Sequence, residues 1–156
     1  METTTLSKYA NAILKAYWNG TLPVDPFILV RAARWKIVFS DSLSESSMDF
    51  YIDPEERCVY MNSSLLIDAY ASRVACAKAL AYVVTSSREV VLEEQKATDF
   101  AAEILIPDLF LGLMSEENNP VEHFAVTSGL VSVRRKQMTS GEYASTTGFR
   151  RAELSK

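Results

Sequence analysis

Two charged side chains fall where apolar ones are expected. After Asn62-Ser63-Ser64, residues Ile67, Tyr70, Ala71, Val74, Ala77, Lys78, Ala81 and Tyr82 recur at three- and four-residue steps, the spacing of one helical face, and Lys78 lies inside that stripe. Further along, Glu94 shares a face with Ala97, Ala101, Ile104 and Leu105. Burying either charge alone is expensive, and a Lys78–Glu94 ion pair would neutralise both. Alternatively each side chain runs along its helix to solvent with its alkyl stem on apolar surface. Periodicity does not choose between these arrangements.

The other reactive side chains limit the chemistry. His123 is the single histidine of the chain, which restricts histidine-based metal sites and triads. Cys58 and Cys76 form no Cys-x-x-Cys pair and read as small buried hydrophobes. Asp49, Asp53, Glu55 and Glu56 surround a turn but lack the oxygen-ligand spacing of a calcium loop, so they read as a solvated acidic turn. The stretch 124–138 has a helix-turn-helix rhythm, yet Arg134-Arg135-Lys136 come late in its second helix, where a major-groove reader makes few base contacts. A packed helical hairpin with a solvated basic end is the simpler reading.

These residues need a frame. Leu6, Tyr9, Ala10, Ile13, Leu14 and Tyr17 predict a first amphipathic helix, stopped by Asn19-Gly20. Asp25-Pro26 predicts the capped start of a short helix through Ala33, with Phe27, Val30 and Ile28 inward. Strands are predicted at 36–39, 48–52 and 58–61, the last two forming a hairpin around Asp53-Pro54-Glu55-Glu56. A long helix capped by Asn62-Ser63-Ser64 should run to Thr85, and another should start at Glu89 and end before Pro107. Shorter helices are expected at 120–125 and 129–138. The result is a single α+β domain over residues 1–139, with helices around a small, mainly antiparallel three-stranded sheet, and a frayed tail at 140–156.

Composition agrees with a globular domain: 48% hydrophobic and 23% charged residues in a chain of 156. A net charge of −4 argues against a nucleic-acid backbone as the main partner. No apolar run reaches the length of a membrane span, and Met-Glu-Thr-Thr-Thr lacks the character of a signal peptide, so a cytoplasmic protein without membrane contact is expected.

Several segments over residues 22–138 resemble the ImmA/IrrE family of bacterial and prophage metallopeptidase-like proteins. They are Leu22-Pro23-Val24-Asp25-Pro26, Val59-Tyr60-Met61-Asn62-Ser63, Arg73, and the run from Glu94 through Ala97-Thr98, Phe100-Ala101-Ala102 and Leu105 to Pro107. That run is similar to the family's Glu-x-x-Ala-Asn-x-Phe-Ala-Ala-x-Leu-Leu-x-Pro segment, with Thr98 in the Asn place. The resemblance implies a zincin-like minimal peptidase fold. In the family the long helix carries H-E-x-x-H, whose histidines bind zinc while the glutamate acts as base. Aligned from Arg73, those five positions are Lys78, Ala79, Leu80, Ala81 and Tyr82. The family's third ligand, a glutamate on the next helix, matches Glu94. A zinc site needs three ligands and an open position, and one carboxylate does not supply them; His123, on a different helix, is not expected to substitute.

The resemblance favours the buried pair. Lys78 would fill the vacated ligand space and neutralise Glu94, with the Tyr82 hydroxyl as a third member. It implies a pseudopeptidase without metal or cofactor, which binds a helix-turn-helix repressor or another regulatory protein and acts on it by occupancy. An extended partner segment would lie along the sheet edge, formed by strand 58–61 or its neighbour. Competing expectations are a hydrolase or peptidase with a relocated metal site, and a binding module of a toxin–antitoxin or phage-defence pair.

Overall fold

The computed structural model describes residues 3–87 and 91–139. Helix α1 (Thr3–Tyr17) buries Leu6, Ala10 and Leu14, one residue per turn, while Tyr17, the expected end of that stripe, is exposed. Helix α2 (Pro26–Ala32) is capped by Asp25, whose carboxylate accepts from the N–H groups of Phe27 (2.9 Å) and Ile28 (3.3 Å). Leu29 and Val30 face inward; Ile28, expected inward, is exposed.

Three strands follow: β1 (Lys36–Ser40), β2 (Phe50–Asp53) and β3 (Cys58–Asn62). β2 and β3 form the expected hairpin, which Arg57 closes with a left-handed backbone (φ 49°). The sheet is nevertheless mixed, in contrast to the mainly antiparallel one expected from the sequence. Its order is β1-β3-β2, and β1 pairs parallel to β3 in the register Lys36↔Cys58 to Ser40↔Asn62. Residues 41–49 make this possible by crossing the end of β3. Asn62, buried at that end, donates from Nδ2 to the carbonyls of Leu43 (2.7 Å) and Met48 (3.0 Å), which fixes the crossing. As the central strand, β3 cannot be the open edge; the edges are β1 and β2.

The expected cap of the long helix divides into two. Asn62 caps a 3-10 turn, Ser63–Ile67, by accepting from the Ser64 N–H, and Asp68 caps helix α3 (Ala69–Thr85) by accepting from Tyr70 and Ala71. Ile67 therefore lies outside the helix and is almost fully exposed. Helix α3 is buried around most of its circumference: Ala75, Cys76, Ala77, Ala79, Leu80 and Ala81 are all buried. Its single expected stripe was too narrow because α3 is the central helix, packed on α2, on β2 and on α4 (Glu94–Leu105). Its small residues permit that close approach from several sides.

Helix α4 starts at Glu94, later than expected; Glu89 and the tail 140–156 lie outside the described residues. It packs between α1 and α6 (Ser128–Thr139), after the short α5 (Pro120–Phe124). Among the described residues no helix is long and apolar enough to cross a membrane.

Candidate functional site: a groove between β2 and the Lys78–Glu94 pair

The inner face of the sheet turns Phe50 and Ile52 of β2 toward α3, and the second half of α3 places Lys78 and Tyr82, one turn apart, opposite them. The first turn of α4 brings in Glu94. Residues 47–52, Lys78, Tyr82 and Glu94 line an open groove of about 420 Å³. The sequence-derived positions Lys78, Tyr82 and Glu94 are thus brought together. Ala79 is not; it points away and is fully buried.

Lys78 Nζ lies 3.1 Å from Glu94 Oε1, so the expected ion pair forms. The expectation that it is buried is corrected. The Lys78 side chain is 16% exposed, but that of Glu94 is 79% exposed. Glu94 opens its helix instead of lying a turn inside it, so its side chain projects from the open first turn, where a carboxylate also complements the helix dipole. The burial expected for that face begins at Ala97.

Tyr82 packs its ring on Phe50, centroids 5.6 Å apart at 59°. Its hydroxyl makes no hydrogen bond to either member of the pair among the described residues, which corrects its expected place as third member. Burial, and secondarily the Glu94 carboxylate, push its phenol above the ordinary range. It is a neutral hydroxyl at physiological pH.

A zinc ion does not fit this residue set. The amine that would have to coordinate is already bonded to the one carboxylate, Ala79 has no ligand atom, and Tyr82 keeps its proton. His123 is exposed on α5 and does not line the groove. Among the described residues no three His, Cys, Asp or Glu side chains come together as a metal site. Cys58 and Cys76 are buried free thiols, as expected, and burial raises the Cys76 thiol far above its ordinary range.

The open side of the groove is a backbone edge. Asn62 N–H donates to Asp49 C=O at 2.8 Å, which makes that pair a hydrogen-bonded rung of the β2–β3 ladder. In an antiparallel ladder the alternate residues face outward, so Phe50 and Ile52 direct N–H and C=O away from β3. Such an edge can accept an added strand.

Three polar residues whose structural roles the sequence did not show hold the frame. Arg134, expected at a solvated basic end, is completely buried. It donates to Ile106 C=O (2.8 Å), Gln137 Oε1 (3.0 Å) and Asp108 Oδ1 (2.6 Å). Its place among Leu130, Val131 and Met138 at helical spacing was the available signal. Glu103 is buried between α1 and α4 and accepts from Ser7 Oγ at 2.6 Å; burial raises its pKa to about 7. Arg73 ties α3 to both flanking segments, donating to the carbonyls of Val24 and of Ala125.

Comparison of the chain with protein-family models, curated proteins and solved structures finds no match, so the resemblance to the ImmA/IrrE proteins rests on its residues alone.

Proposed function

We propose that this protein is a non-catalytic regulator, a zincin-like pseudopeptidase of the ImmA/IrrE kind. It binds an extended segment of a helix-turn-helix repressor, or of a related regulatory protein, in the cytoplasm and alters that partner by occupancy. The observation that carries the reading is the juxtaposition of the Lys78–Glu94 pair with the outward-facing backbone of β2 across one open groove. Lys78 and Tyr82 stand where the resemblance puts zinc-binding histidines, and Ala79 stands where it puts the general base. What is left of such a site is its strand-binding half: the β2 edge, the cleft beside it and a few polar anchors. Main-chain hydrogen bonding along an edge holds a segment without catalysis.

The test is partner capture with a blocked edge. Ile52→Pro removes an outward N–H and adds ring bulk on the open side, leaving the rungs to β3 in place. Tagged protein expressed in bacteria should retain a DNA-binding regulator identified by mass spectrometry. The Ile52→Pro variant, shown folded by circular dichroism, should lose it. A regulator retained equally by both would contradict this placement of the partner.

A further inference from the structure

The groove contains an ion pair whose two members differ sharply in exposure. Lys78 is held: it leaves the body of α3, and its stem is covered. Glu94 stands on the first turn of its helix, mostly in solvent, and among the described residues its carboxylate accepts the 3.1 Å hydrogen bond from Lys78. An ammonium has three donors, and among the described residues Glu94 takes one of them. Beside it, the Tyr82 hydroxyl makes no hydrogen bond among the described residues and keeps its proton, since its pKa is raised. Two donors in one cleft, one of them cationic, suit a carboxylate, which accepts through two oxygens.

We propose that Glu94 is a displaceable counter-ion, and that the groove takes an extended peptide segment whose glutamate or aspartate side chain replaces it on Lys78 and Tyr82. The inference rests on the reading of the groove as a peptide site and names the chemistry of the occupant. The exchange keeps the local charge unchanged, because the leaving Glu94 carboxylate turns fully into water as the incoming one arrives. An added carboxylate without that departure would meet Glu94 in addition to the exposed Asp49 on the groove rim, and the repulsion from Glu94 selects against a simple third charge. A pair with one partner largely in water is weak, so displacement opposes binding only slightly. The pair then acts as a guard, keeping Lys78 neutralised when the groove is empty and making an acidic residue in the partner strand the feature it recognises.

The probe is a blocked peptide of alternating threonine and valine with one central glutamate, together with its glutamine twin, each titrated into isotope-labelled protein by NMR. The glutamate peptide should bind about tenfold more tightly than the glutamine peptide, the scale of one charge-assisted hydrogen bond. Glu94→Gln should tighten the glutamate peptide several-fold, because its competitor is gone, and so widen its margin over the glutamine peptide. Lys78→Met should abolish the discrimination. Equal binding of the two peptides by the unaltered protein would overturn the exchange while leaving the groove as a peptide site. Weaker binding of the glutamate peptide to Glu94→Gln would show Glu94 to be part of the binding surface and would also overturn it. Binding of neither peptide would remove both readings.

Discussion

At the scale of single residues, the charges that fold the chain are not those that mark its groove. Arg134 has no access to water and satisfies three acceptors from α6 and the turn after α4. Arg134→Met should cost about 3 kcal/mol in urea unfolding, since it strands Asp108 and Ile106 C=O, and lysine should rescue little because it lacks the planar fork. Lys78→Met should behave differently. Its partner Glu94 is already solvated, so the loss should stay within about 1 kcal/mol, the range of a surface pair. Residue types and spacing in the sequence brought Lys78 and Glu94 to notice, and the family resemblance added Tyr82 and favoured the pairing. They did not reveal which charges are buried. Arg134 and Glu103 each fall on the apolar face of their helix, but spacing alone does not distinguish a buried charge from one whose stem runs out to solvent.

At the scale of elements, the packing of α1 on α4 encloses a titratable group. Glu103 accepts from Ser7 of α1, and burial holds its pKa at about 7 against 4.5 for a free glutamate; Asp108 and Asp99 add to the rise while Ser7 and Arg134 oppose it. The folded chain keeps a proton there that the unfolded chain releases. Stability from this site is therefore complete below pH 4.5 and declines as pH rises toward about 7, by a total on the order of 3 kcal/mol. Denaturation midpoints measured across that interval should fall, and Glu103→Gln should flatten this component. The start of α3 is a second element-scale test. Asp68 bonds the N–H groups of Tyr70 and Ala71, so Asp68→Ala should cost about 1 kcal/mol by thermal unfolding. Helices and strands were largely legible in the sequence because their periods and caps are local. The divided cap at Asn62 and Asp68 was less so, since both residues are competent caps and only the 3-10 turn between them separates their roles.

At the scale of the whole molecule, the α+β class followed from the order of elements, but the sheet did not. Whether β1 lies beside β2 or beside β3 depends on how residues 41–49 travel, and the side chain of Asn62, distant in sequence, bonds that segment in its observed course. That one placement makes β3 central, turns β2 into an edge and opens the groove to which Lys78, Tyr82 and Glu94 contribute. The proposed role of this groove is binding without a metal centre. Its most direct test is the zinc content of protein purified without chelator or histidine tag. Elemental analysis should find less than about a tenth of an equivalent, because one exposed carboxylate already bonded to an ammonium does not supply a zinc site. Close to one equivalent of zinc, lost in Glu94→Ala, would contradict it and place a metal enzyme at the same groove.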